Sequence, residues 1–116
     1  REEIKRIAEE EVIEAGVVLS SVGCVSRGRF RLADGESIME MDKALEILSL
    51  NGTLSRNGLH LHISYGDEEG RAWGGHLVEG NIINTTCELV IGILSEEKFT
   101  RKPDESTGYH ELVIEG

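Results

Sequence analysis

Apolar and polar residues alternate along most of this chain, and the breaks in that alternation mark its turns. The first segment follows a different period. Ile4, Ile7, Ala8, Val12 and Ala15 keep three-and-four spacing, which predicts one amphipathic helix over residues 1–15. Gly16 offers a C-terminal stop, and Glu2 and Glu3 suit the positive end of the helix dipole. Glu9, Glu10, Glu11 and Glu14 read as its solvated face.

Strand periodicity takes over from there. Residues 17–22 predict a short buried strand, interrupted at Gly23. Residues 25–32 alternate, with Arg27, Arg29 and Arg31 on one side as the chain's basic stripe. Residues 33–36 read as a turn, 38–41 as a short strand and 44–50 as another. Asn51-Gly52 and Asn57-Gly58 are turn dipeptides flanking Thr53-Leu54-Ser55. Residues 82–94 predict the longest strand, with Ile83, Cys87, Leu89 and Ile91 on its apolar side and Asn84, Thr86, Glu88 and Val90 on the other. Residues 95–108 are polar, contain Pro103 and read as a mobile loop before a last strand over 109–115. No helix follows that could make βαβ crossovers. The expected fold is α+β, one N-terminal helix on a mostly antiparallel, strongly curved sheet of about seven strands, as a single domain over 1–116.

The stretch from Leu59 to Val78 carries the chemistry. Leu59, Leu61 and Ile63 alternate with His60, His62 and Ser64. Asp67-Glu68-Glu69-Gly70 has Asp at the first and Gly at the fourth position of a type I turn, the signature of a three-residue hairpin loop closing on a left-handed Gly. Asp67 then pairs with Arg71, Tyr65 opposes Trp73, His62 opposes His76, and His60 lies diagonal to His76. Opposed Cβ atoms sit about 4.5–5.5 Å apart and diagonal ones about 7–8 Å. Three imidazoles on one face suit one divalent metal ion, zinc among the candidates, with an open fourth position. A one-residue change of loop length would move His76 to the other face. Gly74 and Gly75 signal a bulge or a close approach. If the polar side of the 82–94 strand faces the histidines, Glu88 is the fourth ligand or general base. His110 reads as a surface residue.

Composition narrows the partners. A net charge of −10 disfavours nucleic-acid binding by the bulk surface. The Arg27, Arg29 and Arg31 stripe is the candidate contact for an anion or for nucleic acid, and otherwise a solvent face offset by acidic residues. Cys24 and Cys87 fit no zinc or redox spacing and read as reduced and buried, hence a cytoplasmic protein. No apolar run approaches a membrane span.

From Leu45 to Ser55, through His60-Leu61-His62, Asp67 to Gly70 and Gly74-Gly75-His76-Leu77, to Thr85-Thr86-Cys87-Glu88, the chain resembles the plants and prokaryotes conserved (PPC) domain. Gly16-Val17-Val18 and Gly23-Cys24-Val25-Ser26 extend the likeness. The resemblance implies an α+β domain that forms a homotrimer. It also implies a strand before the first helix, upstream of Arg1. In plants the domain follows AT-hook motifs that bind DNA, and stand-alone prokaryotic members are labelled predicted DNA-binding proteins. This chain has no AT-hook, and Lys43-Ala44-Leu45-Glu46-Ile47-Leu48 stands where many plant members carry Gly-Arg-Phe-Glu-Ile-Leu. The histidines also resemble the metal site of acetolactate decarboxylase, which shares the overall fold; that likeness implies His60, His62 and His76 as ligands of zinc or another divalent ion. Three functions follow as expectations. One is a homotrimeric DNA-binding or regulatory module with a metal site, contacting DNA or a protein. Another is a metal-dependent hydrolase or lyase acting on a small carboxylate or ester. The third is an assembly scaffold without ligand.

Overall fold

The computed structural model describes residues 1–116. One helix, α1 (Glu2–Glu10), precedes eight strands: β1 (Gly16–Arg31), β2 (Ile38–Met41), β3 (Leu45–Ser55), β4 (Gly58–Gly66), β5 (Ala72–Leu77), β6 (Ile82–Ile93), β7 (Lys98–Asp104) and β8 (Tyr109–Glu115). The α+β expectation holds, with eight strands where about seven were expected.

Strand β1 is the spine. Along one edge it pairs with β2 and β3, and along the other with β5 and β6. Every pairing is antiparallel. Because β3 pairs β4, β4 pairs β5 and β5 returns to β1, these four strands close into a ring. Phe30, Leu45, Leu54, Leu61, Tyr65 and Val25 fill its interior, and Ile4 and Ala8 of α1 pack onto that core. On β4 the inward set, Leu61, Ile63 and Tyr65, is the period-2 apolar set of the sequence, whereas register shifts after Val25 in β1 and after Ile47 in β3 move the inward set by one residue, to Phe30 and to Leu50 and Leu54.

Four expectations need correction. The helix ends at Glu10, not residue 15, because Val12 takes a left-handed φ of 52° and turns the chain away. Ile13 and Glu14 then spend their carbonyls on Arg56 N–H (2.8 Å) and Phe99 N–H (2.8 Å). Gly23 does not divide a strand: β1 runs unbroken past it and is longer than β6. A Cβ at Gly23 would sit 2.4 Å from Thr86 O, so the glycine lets β6 approach where the register shifts. Asn51-Gly52 is not a turn but lies inside β3, opposite His62 and Leu61. Residues 95–108 are not one loop, since they contain β7, which forms a separate two-stranded sheet with β8. Pro103 misled because proline donates no ladder hydrogen bond, yet both strands of an isolated hairpin have free edges where it fits.

Candidate metal centre and its pocket

The β4–β5 hairpin has the register derived from its loop. Asp67 N–H donates to Arg71 O at 2.9 Å, Gly70 takes φ 81°, Tyr65 opposes Trp73 and His62 opposes His76. The loop is locked by the Asp67 carboxylate, whose side chain is wholly buried. It accepts from Trp73 Nε1 (3.0 Å), Arg71 N (2.9 Å), Arg71 Nε (3.1 Å) and Glu69 N (2.9 Å). These donors, Trp73 Nε1 foremost, hold its pKa well below the usual carboxylate range.

With that register fixed, His60, His62 and His76 converge. Their ring centroids are 5.2, 5.4 and 5.8 Å apart, and one ligand nitrogen from each lies within 4.8 Å of the others. Burial, then the Arg31 charge and the two neighbouring imidazoles, push His76 down to about 4. Burial, followed by His62 and Arg101, lowers His60 as well. Both imidazoles are therefore neutral at pH 7, the form that presents a lone pair to a metal. His76 Nδ1 is buried without a hydrogen-bond partner, so one polar atom of the cluster is left open for a ligand. This donor set fits a divalent ion of the zinc type.

Gly74 and Gly75 are the close approach that the sequence signalled. A Cβ on Gly75 would lie 2.2 Å from Arg31 O, and one on Gly74 2.3 Å from Ile63 O. Bare backbone at these positions lets β5 sit between β4 and β1. His76 is thereby paired with Arg31 across the β1–β5 seam.

The basic stripe is divided by this arrangement. Arg27 pairs with Asp42 at 2.5 Å, and Arg29 lies 3.4 Å from Glu40 and donates to Glu79 O at 2.9 Å. Arg31 instead lines the pocket over the histidines, with its Nε buried and unpartnered. Glu88 is not brought to the histidines. It is exposed on β6 opposite Val22, whereas His76 meets β1 at Arg31, about 30 Å further along the strand. The polar side of β6 therefore does not face the cluster within this chain. Cys24 and Cys87 are free thiols, half-buried rather than buried.

The sequence reading missed the far wall of the pocket. A cavity of about 710 Å³ over the triad is closed on one side by the β7–β8 hairpin through Arg101, Tyr109, His110 and Glu111. Arg101 donates from Nη2 to Thr53 Oγ1 at 3.2 Å. Glu111 lines the groove beside His60 and His62, and its Oε1 accepts from Thr107 Oγ1 at 3.1 Å. Glu111, and not Glu88, is thus the carboxylate that lines this cavity, and the cluster of ligand atoms within 4.8 Å consists of the three histidines. The available signal was the run from Asp104 to Gly108, a turn ending in a left-handed glycine (φ 77°) between two alternating segments. No helix is long and apolar enough to cross a membrane.

Comparison with known proteins agrees with this architecture. The family model of the Plants and Prokaryotes Conserved (PCC) domain matches residues 1–95. The bifunctional protein GlmU of Synechococcus sp. (strain JA-3-3Ab) is 45% identical over 115 residues, which are 99% of this chain but 18% of that protein. The chain therefore spans less than a fifth of this curated relative. A hypothetical protein from Salmonella cholerae-suis shares 33% identity and superimposes with a TM-score of 0.95 over 99% of this chain and 83% of that one. A metal-containing protein from Archaeoglobus fulgidus shares 30% identity with a TM-score of 0.78, over 97% of this chain and 83% of that one.

Proposed function

The chain belongs to the Plants and Prokaryotes Conserved (PCC) domain family, and on that premise we propose that it is a metal-binding module whose copies assemble as a homotrimer. His60, His62 and His76 hold one divalent ion, zinc by the chemistry of the donor set. The carrying observation is the convergence of three ligand nitrogens within 4.8 Å on a hairpin whose register is locked by Asp67. That the Archaeoglobus relative is a metal-containing protein supports the same reading. An ion held by these three histidines would supply a Lewis-acid centre. The chain's own residues position it: the Asp67 clasp fixes the loop, and Gly75 admits His76 to the β1 seam.

The assembly part rests on an exposed apolar surface. Leu19 and Val22 of β1 and Ile82, Ile83, Val90 and Ile93 of β6 are large and solvent-facing. Strand β6 pairs only with β1, so its outer edge is also open. An edge strand bordering such a face is ordinarily covered by another chain. Nucleic acid suits the surface less, since Arg27 and Arg29 of the basic stripe are ion-paired and the net charge is −10.

A second reading, a metal-dependent hydrolase or lyase, is favoured by Glu111. This carboxylate lies beside His60 and His62, where a general base for a metal-bound water would be required.

The deciding experiment is metal content by mass spectrometry on untagged protein, beside His62→Ala and His110→Ala. About one metal per chain is expected in wild type and in His110→Ala, and none in His62→Ala. Wild-type protein that stays metal-free after dialysis against zinc would refute the reading.

A further inference from the structure

The cations of this protein are distributed unevenly between paired and unpaired. Acidic residues outnumber basic ones 22 to 12, so a guanidinium on this surface finds a carboxylate readily. Arg1, Arg6, Arg27, Arg29, Arg56 and Arg71 each lie within 4.0 Å of one. Two arginines do not, Arg31 and Arg101, and both line the cavity over the histidines. They reach it from separate elements: Arg31 ends β1, and Arg101 comes from the β7–β8 hairpin. The Nε of Arg31 is buried with no acceptor in the protein. A buried donor of that kind needs an acceptor supplied from the cavity.

The geometry points to an oxyanion site formed by Arg31 and Arg101 beside the histidine triad, taking the carboxylate or phosphate group of a small molecule. A guanidinium presents parallel N–H donors matched to two oxygens of either group, and two arginines on opposite walls can share one anion. Arg101 is steadied for this by its bond to Thr53 Oγ1, which leaves its other donors free. Glu111 is the carboxylate in this cavity; it forms no ion pair with either arginine, and one of its oxygens is engaged by Thr107. A polyanion is disfavoured by the net charge of −10, whereas a single small anion meets a cavity whose lining includes Arg31, Arg101 and one carboxylate, Glu111. The wall carrying Arg101 lies outside the residues matched by the family model, 1–95.

The inference deepens the metal reading, because a divalent ion would strengthen anion binding, but the two can fail separately. Malonate and inorganic phosphate are titrated calorimetrically into wild type, Arg31→Gln and Arg101→Gln, each with chelator and with one equivalent of zinc. At least one anion should saturate wild type at one per chain, and each variant should weaken it at least about tenfold. Malonate binding in preference to phosphate assigns a carboxylate ligand, and the reverse a phosphate ligand. Arg101 sits on a peripheral hairpin, so Arg101→Gln decides the matter even if Arg31→Gln fails to fold. No saturable binding of either anion to wild type, or less than fivefold weakening in Arg101→Gln, overturns the inference. Arginine-dependent binding by protein that takes up no zinc would keep the anion site and discard the metal. One zinc per chain with anion affinity indifferent to Arg101 would do the opposite.

Discussion

The Tyr65 hydroxyl donates to Asn81 Oδ1 at 2.6 Å, and this bond ties the histidine hairpin to the strand that carries Arg31. The same oxygen accepts from Arg29 N at 2.7 Å, and Asn81 Nδ2 donates to Arg29 O (3.0 Å) and Val78 O (2.8 Å). One amide therefore holds β1, β4 and the segment after β5 in fixed relation. Tyr65→Phe should cost about 1–2 kcal/mol and Asn81→Ala about 3 kcal/mol, read as shifts in urea midpoint. Equal small losses in both would mean that the amide does not join the strands.

Gly75 is expected to be intolerant of any side chain. Alanine there must push β5 from β1 by the overlap with Arg31 O, at a cost of at least about 2 kcal/mol. Gly70→Ala tests a different property, since nothing crowds that position and only its φ of 81° resists a side chain. It should cost about 1 kcal/mol. Calorimetric melting of the two variants separates crowding from backbone strain; a larger loss at Gly70 would contradict the packing at the seam.

Asp67 should give stability an acid limb. Its folded pKa lies below the value of about 3.9 for an unfolded Asp. Its contribution is therefore complete above that value and drains away as pH falls through it toward the folded value. Asp67→Asn should lower the urea midpoint at pH 7, and the gap from wild type should narrow below about pH 4. A gap that stays constant from pH 7 to pH 3 would show that the carboxylate charge is not what stabilises the loop.

The β1–β6 face should govern assembly. Light scattering on wild type is expected to give about three times the 12.8 kDa chain mass, and Val90→Lys, on the exposed side of β6, about one chain mass. Because Val90 is exposed in this chain and is not one of the buried core residues, the variant should retain its circular dichroism. A wild-type mass of one chain would remove the assembly proposal.

Much of this molecule was fixed locally. The hairpin register follows from four consecutive residues, because a three-residue loop leaves only one pairing open, and the period of 2 then decides which side chains share a face. His62 opposite His76 and Tyr65 opposite Trp73 are consequences of Asp67 and Gly70. The inward apolar set of β4 and the α+β class are likewise periodic signals carried by short stretches, whereas the shifts of parity within β1 and β3 depend on the strands they pair. What the chain alone could not settle was which distant strand closes over the histidines. Glu88 and Glu111 are both acidic residues on alternating strands. Only the long course of β1, which carries Glu88 away on β6, and the packing of the β7–β8 hairpin against the cavity distinguish them. The same holds for the three arginines of β1: their side is periodic, but whether a carboxylate waits opposite each depends on which strands pair there. Local sequence sets the face a residue occupies; the partner across that face is contributed by chain tens of residues away, and only the tertiary structure brings it there.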